Sequence, residues 1–205
     1  MLKGILRMRL FFLLLLTPLF ISAEPNQTIQ IQLLEMAKLD QLVREEVGNA
    51  GWDKAPKELL DKLAATDHEN TQKLKSMLNK RNWFAKSEIG EDGIDAAFLI
   101  IQHSPDIEFQ EKMLPLLKQS FLNGDGITGQ KVALLADRVH LSKGQKQIYG
   151  TQADVISGNV IFKPILDAET VDKRRAEMKL PPLDFYKKLL EEMYGIKDHP
   201  EIDLN

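Results

Sequence analysis

Three ionisable side chains lie where helical spacing predicts burial in an apolar core. They are His103, Asp67 and Asp137. Asp67, for example, stands seven residues from both Leu60 and Leu74, two helical turns away on the same face. Burying such groups is costly unless they find polar partners, and a histidine beside a carboxylate can exchange protons near neutral pH. We therefore predict these three as catalytic residues, with Asp67 or Asp137 orienting the ring of His103.

Nine further polar side chains are predicted to line the same internal pocket and bind its ligand. Arg44 and Arg138 could hold a carboxylate or phosphate through paired hydrogen bonds. The others could support the charged groups or bond to neutral groups of the ligand; they are Asp40, Gln41, Asn70, Gln102, Gln147, Tyr149 and Gln152. This hypothesis describes a binding protein or an enzyme that acts on a small anionic or polar ligand.

A structural role for the same residues is the alternative hypothesis. Asp40 and Arg44 are four residues apart and can pair on one helix, and Arg138 could pair with Asp67 or Asp40. The chain would then be a structural or interaction protein of the cell envelope, and its polar network would only fix helix packing. A metal site built from His103 and the aspartates is less favoured than either hypothesis, because no recognised ligand spacing is present. The sequence leaves the identity of any cofactor open.

The elements that position these residues are predicted to be mainly α, in a single helical-bundle domain over residues 24–195. Apolar spacing predicts longer helices over about 28–47, 56–79 and 93–103, a fifth over 129–141, and two shorter ones between 167 and 194. The fourth helix lies between the third and the fifth and carries Phe109, Met113, Leu116, Leu117 and Phe121. Residues 94–101 are apolar nearly all round, which indicates a central buried helix. Asp106 is the predicted cap of the fourth helix.

One small β hairpin is predicted near residues 146–163. Its strands are expected over 145–152 and 159–163, and the Ser-Gly-Asn sequence at 157–159 supplies the turn. The residues from 196 to 205 are predicted to form a loose tail.

The first 23 residues have the pattern of a secretory signal peptide. Basic residues precede an apolar run from Leu10 to Phe20, and Ser22 and Ala23 offer a small-residue cleavage site. The apolar run is shorter than the roughly 20 residues that a membrane span needs. We therefore predict cleavage, no stable membrane span afterwards, and a periplasmic or secreted protein.

The chain after residue 23 is acidic and contains no cysteine. Of the 27 basic residues three lie in residues 1–23, which hold none of the 30 acidic residues. An acidic balance argues against nucleic acid as a partner. The lack of cysteine excludes disulfides and thiol chemistry, and the chain has no serine-hydrolase elbow, phosphate-binding loop or zinc-protease motif.

The order of the polar motifs resembles an uncharacterised bacterial family, the domain of unknown function 6624. The motifs are DQLVR at 40–44, DHEN at 67–70, IQHSPDIEFQ at 101–110, ALLADRV at 133–139 and GQKQIYGTQ at 144–152. The resemblance covers residues 33–194. It departs from the family pattern at Phe84, where proline is expected, and at Lys179, where glycine is expected. It implies a shared scaffold and a shared polar set, and it implies no activity.

Overall fold

In a computed structural model of the protein, residues 27–202 are described. The predicted signal peptide, residues 1–23, lies outside the described residues. The elements in chain order are α1 (Gln27–Ala50), α2 (Lys57–Met77), α3 (Lys86–His103), α4 (Ile107–Leu122), α5 (Gly129–Ser142), β1 (Ala153–Ile156), β2 (Asn159–Phe162), a short 3₁₀ turn (Ala168–Thr170), α6 (Val171–Glu177) and α7 (Leu183–Met193). The predicted class, mainly α with one small hairpin, is confirmed. Over residues 27–202 no helix has both the length and the apolar character to cross a membrane.

Helix α3 is the centre of the bundle, as its apolar sequence predicts. It contacts α1, α2, α4 and α5, and Ile94, Ala97 and Ile101 have no exposed surface. Burying each such isoleucine contributes about 1.5–3 kcal/mol. The last residue of α3 is His103.

The beginning of α3 differs from the prediction. The helix starts at Lys86 rather than near Gly93, and it is interrupted at Gly90, whose φ is 74° and ψ 173°. Glycine adopts a positive φ without steric cost, and a Cβ here would lie 2.7 Å from the side chain of Asp92. The interruption lets Ile89 pack in the core.

The helix that follows α3 begins where the sequence predicts. The side chain of Asp106 accepts a hydrogen bond of 2.8 Å from the backbone N–H of Phe109, which confirms it as the cap of α4. Helices α4 and α5 then pack against each other. This pairing brings the polar residues of α5 beside the carboxyl end of α3.

The hairpin is present, but the predicted bounds of its first strand are wrong. Strand β1 pairs with β2 in antiparallel register, with Ala153 opposite Phe162 and Ile156 opposite Asn159. Residues 145–152, predicted as a strand, are irregular. The physical reason is that the carboxylate of Asp137 accepts the backbone N–H groups that a strand ladder would use.

The tail predicted to be loose makes specific contacts over its described part. His199 is buried, with its ring Nε2 2.8 Å from Glu191 and its backbone N–H donated to Glu192. Ile202 is also buried. These contacts hold residues 198–202 against α7.

Candidate functional site

The predicted polar residues divide into two groups on different sides of α5. The first group, here called the His103 cluster, consists of Asp40, Gln41, Arg44, Asp67, Gln102, His103 and Arg138. The second group, here called the Asp137 network, consists of Asp137, Gln147, Tyr149, Thr151 and Gln152. Asp137 and Arg138 are neighbours on α5, so their side chains leave the helix about 100° apart. The single internal site that the sequence predicts is therefore not what the structure shows.

His103 is held in place by the way in which α3 ends. The last carbonyl groups of a helix have no partner within that helix. The buried side-chain amide of Gln110 donates to three of them, those of Ile101, Gln102 and Ser104, at 3.0, 3.3 and 3.0 Å. Gln110 has only 1% of its surface exposed. Sequence reasoning gave it no role; the only signal was a polar residue inside an otherwise buried stretch of α4.

Asp40 is the carboxylate that orients His103. Both of its oxygens lie 2.9 Å from His103 Nδ1, and Gln41 Nε2 donates to Oδ2 at 2.7 Å. The prediction that Asp67 or Asp137 orients the ring is wrong, because the buried face of α1 carries Asp40 directly onto α3. Burial by itself raises the pKa of Asp40. The hydrogen bonds from His103 and Gln41, with the nearby positive charges, outweigh burial and lower the pKa below its ordinary value.

Arg44 lies between His103 and two carboxylates. Its Nε is 2.9 Å from His103 Nδ1 and 3.3 Å from Asp40 Oδ2, and its Nη2 donates to Asp67 Oδ1 at 2.6 Å. Burial raises the pKa of Asp67, and the attraction of Arg44 only partly offsets this effect. Arg44 is thus fixed in position by two acidic partners, and its Nη1 has no partner within residues 27–202.

The contacts of His103 Nδ1 favour one position for the proton of the neutral ring. The two Asp40 oxygens and the Nε–H of Arg44 all lie 2.9 Å from Nδ1, so this nitrogen could donate to Asp40 or accept from Arg44. Arg44 Nε has a second acceptor in Asp40 Oδ2 at 3.3 Å, whereas an unprotonated Nδ1 would leave its lone pair against both carboxylate oxygens. The proton of the neutral ring therefore belongs on Nδ1. Nε2 then carries the lone pair. No described residue bonds to Nε2, and it is not among the buried unsatisfied atoms, so it reaches solvent.

Arg138 brings a second positive charge to the cluster from α5. With the amide oxygen of Gln102 facing it, Arg138 donates from Nε at 2.8 Å and from Nη2 at 3.1 Å. No carboxylate in the described part of the chain pairs with this guanidinium. Burial, and then the neighbouring charge of Arg44, lower the pKa of Arg138, while Asp67 acts in the opposite direction. An arginine remains charged in proteins, so the cluster contains an unpaired cation.

Asp137 has a different environment from that of His103. It is fully buried. Its Oδ1 accepts the N–H groups of Ile148 and Tyr149 at 2.6 and 2.9 Å, and its Oδ2 accepts the N–H and the hydroxyl of Thr151 at 2.8 and 2.9 Å. All of its acceptor positions are used by one loop. The structure does not bring Asp137 into contact with His103.

The other residues of the Asp137 network also bond mainly to backbone. Gln147 donates to the carbonyls of Gln152 and Lys163 at 2.9 and 2.8 Å and accepts the N–H of Gln152 at 2.9 Å. Burial raises the pKa of the Tyr149 hydroxyl, and the charge of Asp137 adds to this effect. Gln152 bonds to the hydroxyl of its neighbour Thr151 at 3.1 Å.

Two more residues lie outside the His103 cluster. Asn70 donates to the carbonyl of Met36 at 3.2 Å and ties α2 to α1. Arg175, which sequence reasoning did not select, is buried and donates to the carbonyls of Pro181 and Tyr149, both at 2.7 Å. Its guanidinium also lies over the ring of Tyr186. The charged sequence around Arg175 gave no signal that this arginine points inward.

Comparison with known proteins identifies the family of the chain but no activity. The profile of a family of unknown function, DUF6624, matches residues 27–199. The chain belongs to this family. This confirms the resemblance seen in the motifs. No curated protein and no solved structure matches the chain.

In this DUF6624 protein the His103 cluster has the groups needed for two kinds of chemistry. Its arginines can hold an anion, and Nε2 of His103 can take up or release a proton. Arg44, Asp67 and His103 keep 16–19% of their side-chain surface exposed, so the cluster reaches the protein surface. Among residues 27–202 there is no group of three or more histidine, cysteine or acidic side chains arranged to hold a metal ion.

Proposed function

We propose that the His103 cluster is a binding site for a small anionic ligand, held by Arg44 and Arg138. The observation that carries this proposal is the unpaired guanidinium of Arg138 beside a second arginine. A partly buried charge without an opposite charge is unfavourable, and two adjacent cations add repulsion. A bound anion would remove both costs. The ligand-binding and catalytic roles of the individual residues are part of this proposal.

The hydrogen bonds already formed by the two arginines support the proposal. Arg138 uses Nε and Nη2 on Gln102, and Arg44 uses Nε on Asp40 and Nη2 on Asp67. Each keeps Nη1 without a partner in residues 27–202. Guanidinium groups bind oxyanions strongly, and groups that are already fixed lose little freedom on binding. The two Nη1 groups are therefore the donors that we assign to the ligand.

A calorimetric titration with sulfate and with small dicarboxylates tests the proposal. The parent protein is expected to bind at least one of them, and Arg138→Gln is expected to weaken that binding at least about tenfold, the loss of one charged hydrogen bond. Arg81→Gln is the matched control. It removes an arginine that is ion-paired to Glu88 on another part of the surface, and it should bind as the parent does.

The rival proposal, a structural protein of the cell envelope, predicts another result. If the polar groups only fix helix packing, the parent binds none of these anions and Arg138→Gln only loses stability. That pair of results would contradict the anion site.

We also propose that the protein works outside the cytoplasm. The proposal rests on the signal-peptide pattern of residues 1–23. Sequencing the N-terminus of the protein from a periplasmic or secreted fraction should give a chain that begins near residue 24. Recovery with residues 1–23 still attached, in the cytoplasmic fraction, would contradict export.

A further inference from the structure

Although Arg138 has no direct carboxylate partner, the formal charges of the His103 cluster as a whole sum to zero when the ring of His103 is neutral. Arg44 and Arg138 are positive, Asp40 and Asp67 are negative, and the neutral ring of His103 adds nothing. An anion that enters the cluster therefore leaves it with a net negative charge in a partly buried place, where charges interact more strongly than in water. The imbalance disappears if a proton enters with the anion.

Two groups of the cluster could receive that proton. Asp67 is one, and burial favours its neutral form, but its Oδ1 accepts Arg44 Nη2 at 2.6 Å and a proton on the carboxylate would cost that ion pair. His103 is the other. Its Nε2 is open to solvent, and Asp40 already accepts the proton on Nδ1. A doubly protonated ring would keep that bond and gain an N–H directed outward.

We propose that the ligand is an oxyanion that enters the cluster together with one proton, which His103 takes up on Nε2. The inference rests on the proposed anion site and specifies its ligand. The protonated Nε2 donates to the anion, as the two Nη1 groups do, so the three groups assigned to the ligand are all donors. A ligand that presents only acceptor oxygens, such as a sulfate, phosphate or carboxylate group, fits this arrangement.

Charged groups reach His103 from each helix around it. Asp40 and Arg44 come from α1, Asp67 from α2 and Arg138 from α5. At the start of α4, Asp106 is ion-paired to Lys75. The two arginines oppose a positive ring when the site is empty. An anion between them offsets that repulsion, so binding favours protonation and, by linkage, acid favours binding.

Titration with sodium sulfate between about pH 6 and pH 8 tests the inference, since sulfate does not titrate in the range where histidine does. Calorimetry in two buffers of different ionisation heat measures proton uptake directly. We expect uptake that approaches one proton per sulfate, and an affinity that rises toward acid by up to about tenfold per pH unit. In NMR spectra, the midpoint of the His103 titration should move to higher pH when sulfate is present, and this measurement needs no variant.

Two variants identify the group that takes up the proton. His103→Gln should abolish proton uptake, whereas Asp67→Asn should keep it. Uptake that survives in His103→Gln and disappears in Asp67→Asn would overturn the assignment to His103. Sulfate binding without any proton uptake would overturn the inference and leave the anion site standing. If the parent binds neither sulfate nor a dicarboxylate, the anion site fails, and this inference fails with it.

Discussion

The His103 cluster and the Asp137 network begin at neighbouring residues of α5, yet they stabilise buried charge to very different extents. In the Asp137 network one carboxylate accepts four hydrogen bonds from a single loop. In the His103 cluster one arginine has no carboxylate partner within residues 27–202, and Nε2 of His103 bonds to no described residue. Both regions are polar, and of the two only the His103 cluster holds a positively charged group without a partner of opposite charge in the described residues.

The difference shows how structural and functional polar groups can be separated. A buried carboxylate whose lone pairs all bond to nearby backbone has no capacity left for a ligand, and its role is to hold that backbone. A half-buried cation beside another cation is unfavourable without a ligand. Such local deficits are expected where activity is traded against stability.

The largest change in the free energy of unfolding should come from the Asp137 network, in which every acceptor position of the carboxylate is used. Asp137→Asn leaves one amide group facing donors, so at least one backbone N–H of the 148–151 loop loses its acceptor. We expect a loss of about 2–4 kcal/mol in the free energy of unfolding, because each buried unpaired donor costs about 1–3 kcal/mol and a charged acceptor is also lost. Urea denaturation measures it.

The control for that variant is Asp154→Asn. Asp154 is exposed on β1 and pairs with Lys163, and an exposed ion pair contributes about 0–1 kcal/mol. If the two variants lose equal stability, Asp137 does not hold the loop and the contrast between the regions fails.

A smaller and pH-dependent effect is expected within the His103 cluster. The pKa of Asp40 is lowered, so its ionised form stabilises the fold above the ordinary pKa of aspartate, and this contribution is lost as the pH falls through the lowered value. Asp40→Asn should therefore lose about 1.5–3 kcal/mol at neutral pH, the range for a hydrogen bond to a charged group. The two proteins should become equal in acid. Urea denaturation over a range of pH measures the difference.

Asp67→Asn is the matched variant, because the pKa of Asp67 is raised rather than lowered. Burial disfavours the ionised form of Asp67, so the neutral amide should not lose stability at neutral pH. Any gain in stability should vanish as the pH falls through the raised pKa of Asp67, since this side chain is then neutral in the parent protein as well. Equal losses of stability in the two variants would show that the contact of Asp40 with His103 does not stabilise the fold.

Much of the fold could be predicted from the sequence because helix periodicity reports which face of a helix is buried. The periodicity located α1, α2, α4 and α5 and identified α3 as the central helix. It could not give the start of α3, because the break at Gly90 leaves no mark in the periodicity of apolar residues. The side chains beside Gly90 are those of Gln30, which is distant in the sequence, and Asp92, which is two residues away. The first strand of the hairpin was misplaced for a similar reason. Residues 145–152 alternate like a strand but bond to Asp137.

The candidate site was predicted less well, because periodicity does not tell which residue lies across an interface. It indicated that Asp40, Asp67, His103 and Asp137 lie on buried faces. It could not show that Asp40 meets His103, nor that Asp137 and Arg138 belong to different groups of residues. Gln110 was missed because its role is to bond to carbonyl groups at the end of another helix.

The smallest expected change in stability is the most direct test of the difference between the His103 cluster and the Asp137 network. Arg138→Gln removes the unpaired cation and leaves a side chain that can still bond to Gln102. We expect the free energy of unfolding without ligand to rise by about 0.5–1 kcal/mol, the usual gain when a strained functional group is replaced. Arg81→Gln, which breaks a partly buried ion pair with Glu88 and a contact with the ring of Phe84, should lose about 1 kcal/mol. The two arginine variants should thus change stability in opposite directions in the same urea titration. A loss above about 1 kcal/mol for Arg138→Gln would mean that Arg138 stabilises the bundle, and the His103 cluster would then be as structural as the Asp137 network.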